Sequence, residues 1–267
     1  MQWPTAQTLF AAAVVSLAIA GAGARNAGAA DRLDAVLALA PSQPASVDEV
    51  VDAETLRLGD GREVRLAGIR APDGRGNVAV ETALRTLTTG QTVRAFGASE
   101  TADRHGRIAA HVVLDGAGLA QRWIQAALVE AGLVYVFPDG RAMPQVMEQL
   151  LAMESRARAA GRGLWGEAGN RVLQAADPDA ITEAFHLVEG KVLAIGESRH
   201  SLFLNFGADY RSDFTIVVQR SDRGGFAKGL RDVRALQGRH IRVRGYVFRR
   251  GGPAIRAMHQ QVIEILE

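Results

Sequence analysis

The segment Val64–Asp73 reads VRLAGIRAPD and restricts the local structure more than any other segment of this chain. Apolar side chains alternate with Arg65, which predicts a strand with one buried face and a cationic side chain on the opposite face. Pro72 ends this strand, because proline has no backbone N–H to donate to a sheet. Asp73 then falls on an exposed turn. The segment therefore predicts a β-sheet that carries charged side chains at a strand end.

A second polar segment, Asp103–Arg107, reads DRHGR and is followed at once by the apolar run Ile108–Leu114. Two arginines, Arg65 and Arg107, thus lie in or beside predicted strands, and Asp73 adds a carboxylate. Guanidinium groups match the geometry of phosphate oxygens, and a carboxylate can position or activate water. This set of residues points to a phosphate ester as the ligand.

The second polar segment also contains Asp103 and His105, and each has two readings. Asp103 is predicted to be structural and to brace the turn that positions Arg107. His105 is either an exposed loop residue or a proton carrier, because histidine titrates near neutral pH. The other histidines considered show no metal-ligand spacing, namely His186, His200, His240 and His259.

Four motifs occur in order, and together they resemble the thermonuclease (staphylococcal nuclease-like) family over Val51–Gly166. The motifs are Asp52-Ala53-Glu54-Thr55-Leu56, Arg-Leu-x-x-Ile-x-x-Pro at 65–72, Asp-x-x-Gly-Arg at 103–107, and Gly163-Leu164-Trp165. The resemblance covers just under half of the chain. It implies a five-stranded barrel of the oligonucleotide/oligosaccharide-binding (OB) type with helices packed around it.

The periodicity of the same region predicts an α+β fold, in which strands are followed by helices. Alternating apolar residues predict strands at 48–58, 62–70, 92–97 and 107–114, and helical spacing predicts helices at 77–87, 119–131 and about 143–160. The turn Gly59-Asp60-Gly61 contains the Asp-Gly pair that is typical of a β-hairpin.

The strand pattern begins again at Phe185. Strand-like runs occur at 186–195, 201–207, 213–219, 240–248, 253–258 and 262–266, and a helix fits about 224–236. Three strands, a helix and two more strands are the order of a small OB-like β-barrel. The fold class is therefore predicted as an OB-type barrel with packed helices, followed by a second OB-like barrel.

The N-terminal residues are predicted to direct export. An apolar run at 9–24 precedes small residues, as in a secretory signal peptide, and it is shorter than the ~20 residues of a membrane span. No Lys or Arg precedes the run, so an uncleaved anchor is the alternative. The protein is expected to be periplasmic or secreted, with no stable membrane span after processing. The predicted organisation is a signal peptide (1–30), a linker (31–46), a thermonuclease-like domain (47–166), a second linker (167–183) and an OB-like domain (184–267).

Charge is distributed unevenly along the chain. Residues 184–267 contain 14 Lys and Arg against 8 Asp and Glu, whereas residues 47–166 contain 14 against 15. A basic C-terminal region favours an anionic partner. Within it, Arg242 and Arg244 alternate with apolar residues, so they are expected to face outward and to bind substrate. The alternative is that they form ordinary solvated strand surface.

Aromatic residues of the C-terminal region could provide surfaces on which nucleic-acid bases stack. The candidates are Phe203, Phe206, Tyr210 and Phe214. The alternative is that these rings belong to the core. For Phe214 the core is predicted, because it is in phase with Ile216 and Val218.

The resemblance assigns catalytic roles by motif position. Arg65 and Arg107 match the two arginines that clamp the phosphate in the thermonuclease family. Asp73 lies at the position of the family's candidate general base, which is a glutamate. Asp73 is therefore expected to position water, with a side chain one methylene shorter.

The resemblance also implies Ca²⁺ as a cofactor held by oxygen ligands. Glu54 lies at the position of the first calcium aspartate and is the expected metal-side carboxylate. Arg70 lies at the position of the second, and this reversed charge argues against a calcium site of the family type. Arg70 is instead expected to contact the substrate phosphate as a cation, unless it is simply a solvated or ion-paired arginine.

Three functions are consistent with these features. The first is a thermonuclease-like phosphodiesterase that hydrolyses DNA or RNA, with Arg65 and Arg107 stabilising the charged transition state. The second is a catalytically inactive homologue that binds nucleic acid or another polyanion. The third is a structural or protein-interaction module. The sequence carries no indication of oligomeric state, and zero cysteines exclude disulfides and thiol chemistry.

Overall fold

The structure is a computed structural model that describes residues 33–115, 122–138, 143–166 and 172–266. The predicted signal peptide at 1–30 lies outside the described residues. Among the described residues, no helix combines the length and the apolar character that crossing a bilayer requires.

The N-terminal half contains a closed five-stranded barrel. Its chain segment contributes seven strands: β1 (Ala45–Asp52), β2 (Thr55–Leu58), β3 (Glu63–Leu66), β4 (Ile69–Arg70), β5 (Thr92–Phe96), β6 (Ile108–Leu114) and β7 (Tyr135–Val136). The barrel order is β1-β2-β3-β6-β5, and β4 pairs with β7 in a separate two-stranded sheet. The pair β3 and β6 is parallel and the other barrel pairs are antiparallel. Together with the helices described next, this arrangement confirms the predicted α+β fold with an OB-type barrel.

Four helices pack on this barrel: α1 (Asp34–Leu37), α2 (Arg75–Thr88), α3 (Ile124–Glu130) and α4 (Pro144–Ala159). Helix α2 buries Val80 and Leu84, and α4 buries Leu150 and Met153, in the same core as the inward side chains of the strands. The predicted helices are confirmed with shifted ends, and residues 119–121 of the predicted helix 119–131 lie outside the described residues. Two predicted strands are interrupted. A turn at residues 53–54 divides 48–58 into β1 and β2, and a turn at residues 67–68 divides 62–70 into β3 and β4.

The segment predicted as the first linker is partly structured. Val36 of α1 is fully buried in the core, and Pro41 forms a β-bridge with Phe96. The described residues 33–46 therefore pack on the barrel instead of forming a free connection. The apolar side chain of Val36 is what anchors them.

The C-terminal half forms a second sheet of eight strands. They are β8 (Leu173–Gln174), β9 (Phe185–Lys191), β10 (Ala194–Glu197), β11 (Ser201–Asn205), β12 (Thr215–Gln219), β13 (His240–Arg250), β14 (Gly252–Arg256) and β15 (Ile263–Leu266). The order is β10-β11-β12-β14-β13-β9-β8, with β15 also paired to β13. Strands β9 and β10 are separated by only two residues, yet they lie towards opposite ends of this order. Two pairs of the sheet are parallel, β12 with β14 and β8 with β9.

Two details of the C-terminal half differ from the sequence prediction. The predicted helix 224–236 is only α5 (Leu230–Arg234), preceded by a 3₁₀ segment at Arg220–Gly225. The predicted second linker contains β8, which pairs with β9, and the buried Ile181. The domain boundaries themselves remain predictions.

A buried ion network joins the two halves. The Arg244 side chain on β13 is fully buried, and its Nη1 lies 2.8 Å from Oε2 of Glu154 on α4. Its second ion pair is with Glu264 on β15. Arg244 Nη1 donates to the carbonyl of Val136 (2.8 Å), and the Val136 N–H donates to Glu154 (2.7 Å). Val136 lies on β7, and β7 pairs with β4, the strand that carries Arg70. The network therefore holds β7 in place beside Arg70.

Candidate anion-binding site

Arg65 and Arg107 lie on the same outer face of the first barrel. Arg65 on β3 is opposite Ala109 on β6, and Arg107 precedes Ala109 by two residues. Arg107 itself directly precedes the first residue of β6. Thr55 on β2 is the other cross-strand neighbour of Arg65, and Arg107 Nη1 reaches its hydroxyl at 3.4 Å. The sheet therefore brings the two predicted arginines together.

The guanidinium of Arg107 is held from one side. Its Nε and Nη2 each lie 2.9 Å from Oδ2 of Asp103. Its Nη1 lies 3.8 Å from Oδ2 of Asp52, beyond hydrogen-bonding distance. The Arg107 side chain keeps 23% of its surface exposed. The acid thus orients the guanidinium while one edge still faces the outer surface.

Asp103 is the brace that the sequence predicted. Its Oδ1 accepts the backbone N–H groups of His105 (2.8 Å) and Arg107 (3.1 Å). Gly106 has φ +79°, a conformation that glycine adopts without strain, and it completes the tight turn. Partial desolvation opposes ionisation of Asp103, but these hydrogen bonds and the charge of Arg107 lower its pKa to about 2. His105 is exposed beside Arg104, and its role as a proton carrier stays a prediction.

Glu54 lies in the turn between β1 and β2, close to Arg65 and Arg70. Its Oε1 accepts the backbone N–H of Ala71 (2.8 Å) and lies 3.2 Å from Nη1 of Arg70. Its side chain is 12% exposed. Burial raises the pKa of Glu54, whereas the Ala71 N–H and the charges of Arg70 and Arg65 act in the opposite direction. The carboxylate is therefore an internal partner for the cations of this face.

Arg70 is clamped between the two halves of the molecule. On one side it pairs with Glu54, and on the other its Cζ lies 5.1 Å from the ring centroid of Tyr246 on β13. Its strand β4 is opposite Tyr135 of β7, which the Arg244 network holds. About a third of the Arg70 side chain remains exposed. The structure thus adds a third guanidinium to the same region as Arg65.

Asp73 is exposed on the bend after β4. Its charge acts on two side chains of the C-terminal half, Tyr246 and His186. Burial raises the pKa of Tyr246, so the phenol stays neutral. Burial lowers the pKa of the half-buried His186, although the nearby Asp73 opposes this shift. Asp73 therefore lies at the rim where the two halves meet, on the side of Arg70.

The residues present do not fit a calcium ion of the family type. Glu54 already accepts an N–H from Ala71 and an ion pair from Arg70, and a cation would have to replace the guanidinium. Among the described residues, no group of three or more His, Asp or Glu side chains is arranged to hold a metal. The positive charge at this position is supplied by the chain itself.

The prediction that Arg242 and Arg244 face outward to bind substrate needs correction. Arg244 is fully buried against Glu154 and Glu264, so a ligand cannot reach it. Arg242 has 13% of its side chain exposed and pairs with Glu189 (2.8 Å) and Glu264 (3.3 Å). The strand does alternate as predicted, but helix α4 and strand β15 cover its arginine end.

The four aromatic residues predicted as a stacking surface differ in their exposure. Phe214 and Phe206 belong to the second core, Phe203 is half-buried and Tyr210 is exposed. Sequence reasoning did not single out Tyr246, which lies two residues beyond Arg244 on the same face of β13. The alternation that predicted the arginine face could have found it.

Comparison with known proteins agrees with the geometry. Residues 63–167 match the family model described as "Staphylococcal nuclease homologue". A comparison with curated protein sequences found no match. The matched segment runs from β3 past the end of α4 and contains Arg65, Arg70, Asp73 and Arg107. Glu54, Tyr246 and the second sheet lie outside it.

Proposed function

Taking residues 63–167 as a thermonuclease-like domain, we propose that this domain binds the phosphodiester backbone of nucleic acid without a divalent cation. The ligand lies on the arginine face, which we define as Arg65, Arg70 and Arg107. The observation that carries the proposal is the contact of 3.2 Å between Arg70 and Glu54. In this contact the Arg70 guanidinium is the cation that neutralises the Glu54 carboxylate, which would otherwise attract a metal ion.

The arginine face suits a phosphodiester because each guanidinium offers paired N–H donors to phosphate oxygens. Arg107 is oriented by Asp103, and Arg70 is oriented by Glu54 and Tyr246, so less conformational entropy is lost on binding. The neighbouring carboxylates reduce the net positive potential. Binding is therefore expected to be moderate and to weaken with added salt.

Hydrolysis is a second candidate function, and the position of Asp73 favours it. Its carboxylate is exposed at the rim beside Arg70 and is available to orient a water molecule. In this case Arg65 and Arg107 would stabilise the charge that develops on the phosphorus oxygens. Such a reaction would not require calcium, because Arg70 takes the place of the cation.

The test is fluorescence anisotropy with a labelled oligonucleotide, in calcium and in chelator. Equal affinity in both solutions is expected. Arg65→Ala and Arg107→Ala should each weaken binding and reduce its salt slope by about one counterion. Arg94→Ala is the matched control, because Arg94 on β5 also pairs with an acid, Asp115, away from the arginine face.

Gel analysis of the same samples separates the candidates. Cleavage in chelator that Asp73→Ala abolishes supports hydrolysis. Intact oligonucleotide with salt-sensitive binding supports the binding function alone. Cleavage that requires calcium contradicts the metal-independent site, and unchanged affinity in Arg65→Ala and Arg107→Ala contradicts the assignment of the arginine face.

The apolar N-terminal run supports export as part of this proposal. An exported protein of this kind would meet nucleic acid outside the cytoplasm. Fractionation of cells that produce the full chain would test it, and a cytoplasmic protein of unchanged mass would contradict it.

A further inference from the structure

Strand β13 changes character along its outer face. Alternate residues share this face, and in chain order they are Arg242, Arg244, Tyr246, Phe248 and Arg250. The first two are covered and ion-paired, as described above. Beyond them the strand leaves the cover of α4 and β15, and its side chains become exposed. The outer face thus has a buried arginine end and an open aromatic end.

The open end carries two large rings. Tyr246 is 43% exposed and Phe248 is 36% exposed, whereas Val247 between them is buried. Two residues along a strand span about 6.7 Å, so the rings lie side by side on the surface. A hydrophobic ring normally gains free energy by burial, so two adjacent exposed rings indicate a contact surface.

The aromatic end adjoins the arginine face. The Arg70 guanidinium lies over the Tyr246 ring at 5.1 Å, while Phe137 and Phe185 meet that ring nearly edge-on at 6.4 Å and 5.5 Å. Phe137 and Phe185 therefore support Tyr246 from the protein side. At the far end of the strand, Arg250 is exposed, follows Phe248 on the same face and lies over the Phe203 ring at 5.2 Å. Cations thus flank the ring pair on both sides.

We infer that Tyr246 and Phe248 form a stacking surface for the bases of single-stranded nucleic acid. The inference rests on the proposed function, since the backbone of the same strand lies on the arginine face. In a single strand the bases are unstacked and can pack on aromatic rings, whereas in a duplex they are enclosed. Charge supports this ligand, because a single strand joins a polyanion to flat apolar bases, and this surface joins guanidinium groups to exposed rings. The second sheet thereby selects the form of nucleic acid.

The experiment compares two labelled probes of equal length and charge in chelator. One is a single-stranded oligonucleotide, and the other is an abasic strand with the same phosphodiester backbone. A labelled duplex of the same length is measured alongside them. The wild-type protein is expected to bind the base-bearing strand more tightly than the abasic strand and more tightly than a duplex. Phe248→Ala should reduce affinity for the base-bearing strand by about 5- to 150-fold and leave affinity for the abasic strand unchanged. Tyr246→Ala should reduce affinity for both strands, because Tyr246 also orients Arg70, and the reduction should be larger for the base-bearing strand.

The matched control is Tyr210→Ala. Tyr210 is 60% exposed and also has an arginine over its ring, because Arg211 Cζ lies 5.2 Å from its centroid. Its substitution should change neither affinity. Tyr246→Phe should keep the affinity for the base-bearing strand, since the ring remains.

The outcomes distinguish this inference from the proposed function. Equal binding of both probes, with no effect of Tyr246→Ala or Phe248→Ala, overturns the stacking surface and leaves the arginine face intact. An equal loss for both probes in Tyr246→Ala, with no effect of Phe248→Ala, also overturns it, because Tyr246 would then act only by holding Arg70. Failure of the wild type to bind either probe overturns the proposed function and this inference together.

Discussion

The first barrel and the second sheet both mix parallel and antiparallel strand pairs, but they use their strand arginines in opposite ways. The arginines of the first barrel lie on a partly exposed face, each beside an acid. Arg244 of the second sheet is sealed between a helix and a strand. An alternating arginine pattern therefore does not reveal function until the element that covers the strand is known.

The net charge of each half is also a poor guide to where anions could bind. The C-terminal half has the surplus of basic residues, yet many of them are neutralised locally. Arg220 and Arg234 pair with Glu197, and Arg256 pairs with Asp222. The N-terminal half has no surplus, yet it assembles three guanidinium groups in one region. The position of the arginines therefore indicates the candidate anion-binding site better than the net charge of either half does.

The largest expected effect comes from breaking the buried ion network of the second sheet. Arg244→Leu removes the 2.8 Å ion pair of Glu154, whose side chain is 1% exposed, and leaves it only the longer contact of 3.7 Å with Arg158. The free energy of unfolding should fall by about 3–5 kcal/mol, because a poorly compensated buried charge is costly. Chemical denaturation monitored by tryptophan fluorescence measures this change.

The control for Arg244→Leu is Arg57→Ala on β2. Arg57 is 44% exposed and pairs with Glu49 and Glu63 at the surface. Its loss should change the free energy of unfolding very little, because solvent screens exposed ion pairs. The double variant Arg244→Leu with Glu154→Leu should recover much of the lost stability. Similar losses in the Arg244 and Arg57 variants would contradict the contrast between buried and exposed arginines.

A smaller effect is expected from reversing the charge of Arg70. Arg70→Asp places a second carboxylate beside Glu54 and removes one phosphate contact, so oligonucleotide affinity at low salt should fall by about tenfold or more. The variant should also bind Ca²⁺, which isothermal titration calorimetry detects. Arg85→Asp makes the same change of net charge on α2, at an arginine paired with Glu81, and should have little effect. Calcium binding by the wild type at this position would refute the replacement of the metal by Arg70.

The smallest effect is expected from Glu54→Gln. The pKa of Glu54 is raised, so as pH falls this group is protonated earlier than an ordinary glutamate. Protonation removes a negative charge beside Arg65 and Arg70, and oligonucleotide affinity should rise a few-fold as pH falls through that range. Glu54→Gln should have the higher affinity at neutral pH and a flatter pH profile.

The raised pKa of Glu54 also determines how the free energy of unfolding should change with pH. Because folding raises the pKa of Glu54, its contribution favours the folded state below the ordinary pKa and is lost as pH rises through the raised value. In Glu54→Gln the free energy of unfolding should no longer fall as pH rises through this range, which chemical denaturation at several pH values measures. Glu49→Gln on β1 is the control, since Glu49 is exposed. A wild-type binding profile that weakens on acidification would contradict the role of Glu54.

The local sequence determined most of the first barrel. Alternation in Val64–Leu66, Pro72 after the strand and the Asp-Gly turn each depend on neighbouring residues, and all three features appear in the structure. The turn Asp103–Arg107 was also readable, because its hydrogen bonds join residues within five positions. Arg65 and Arg107 could be paired in advance because their motifs matched a known family.

Tertiary packing decided what a single strand cannot encode. The sequence of β13 contains Arg244 and Tyr246 at equivalent positions, yet one is buried and the other is exposed. The difference arises from Glu154, about 90 residues earlier in the chain, and from Glu264 on β15. The clamp on Arg70 likewise joins Glu54 and Tyr246 from opposite halves. Burial and ion pairing depend on which elements meet in space, and local residue patterns carry no information on that.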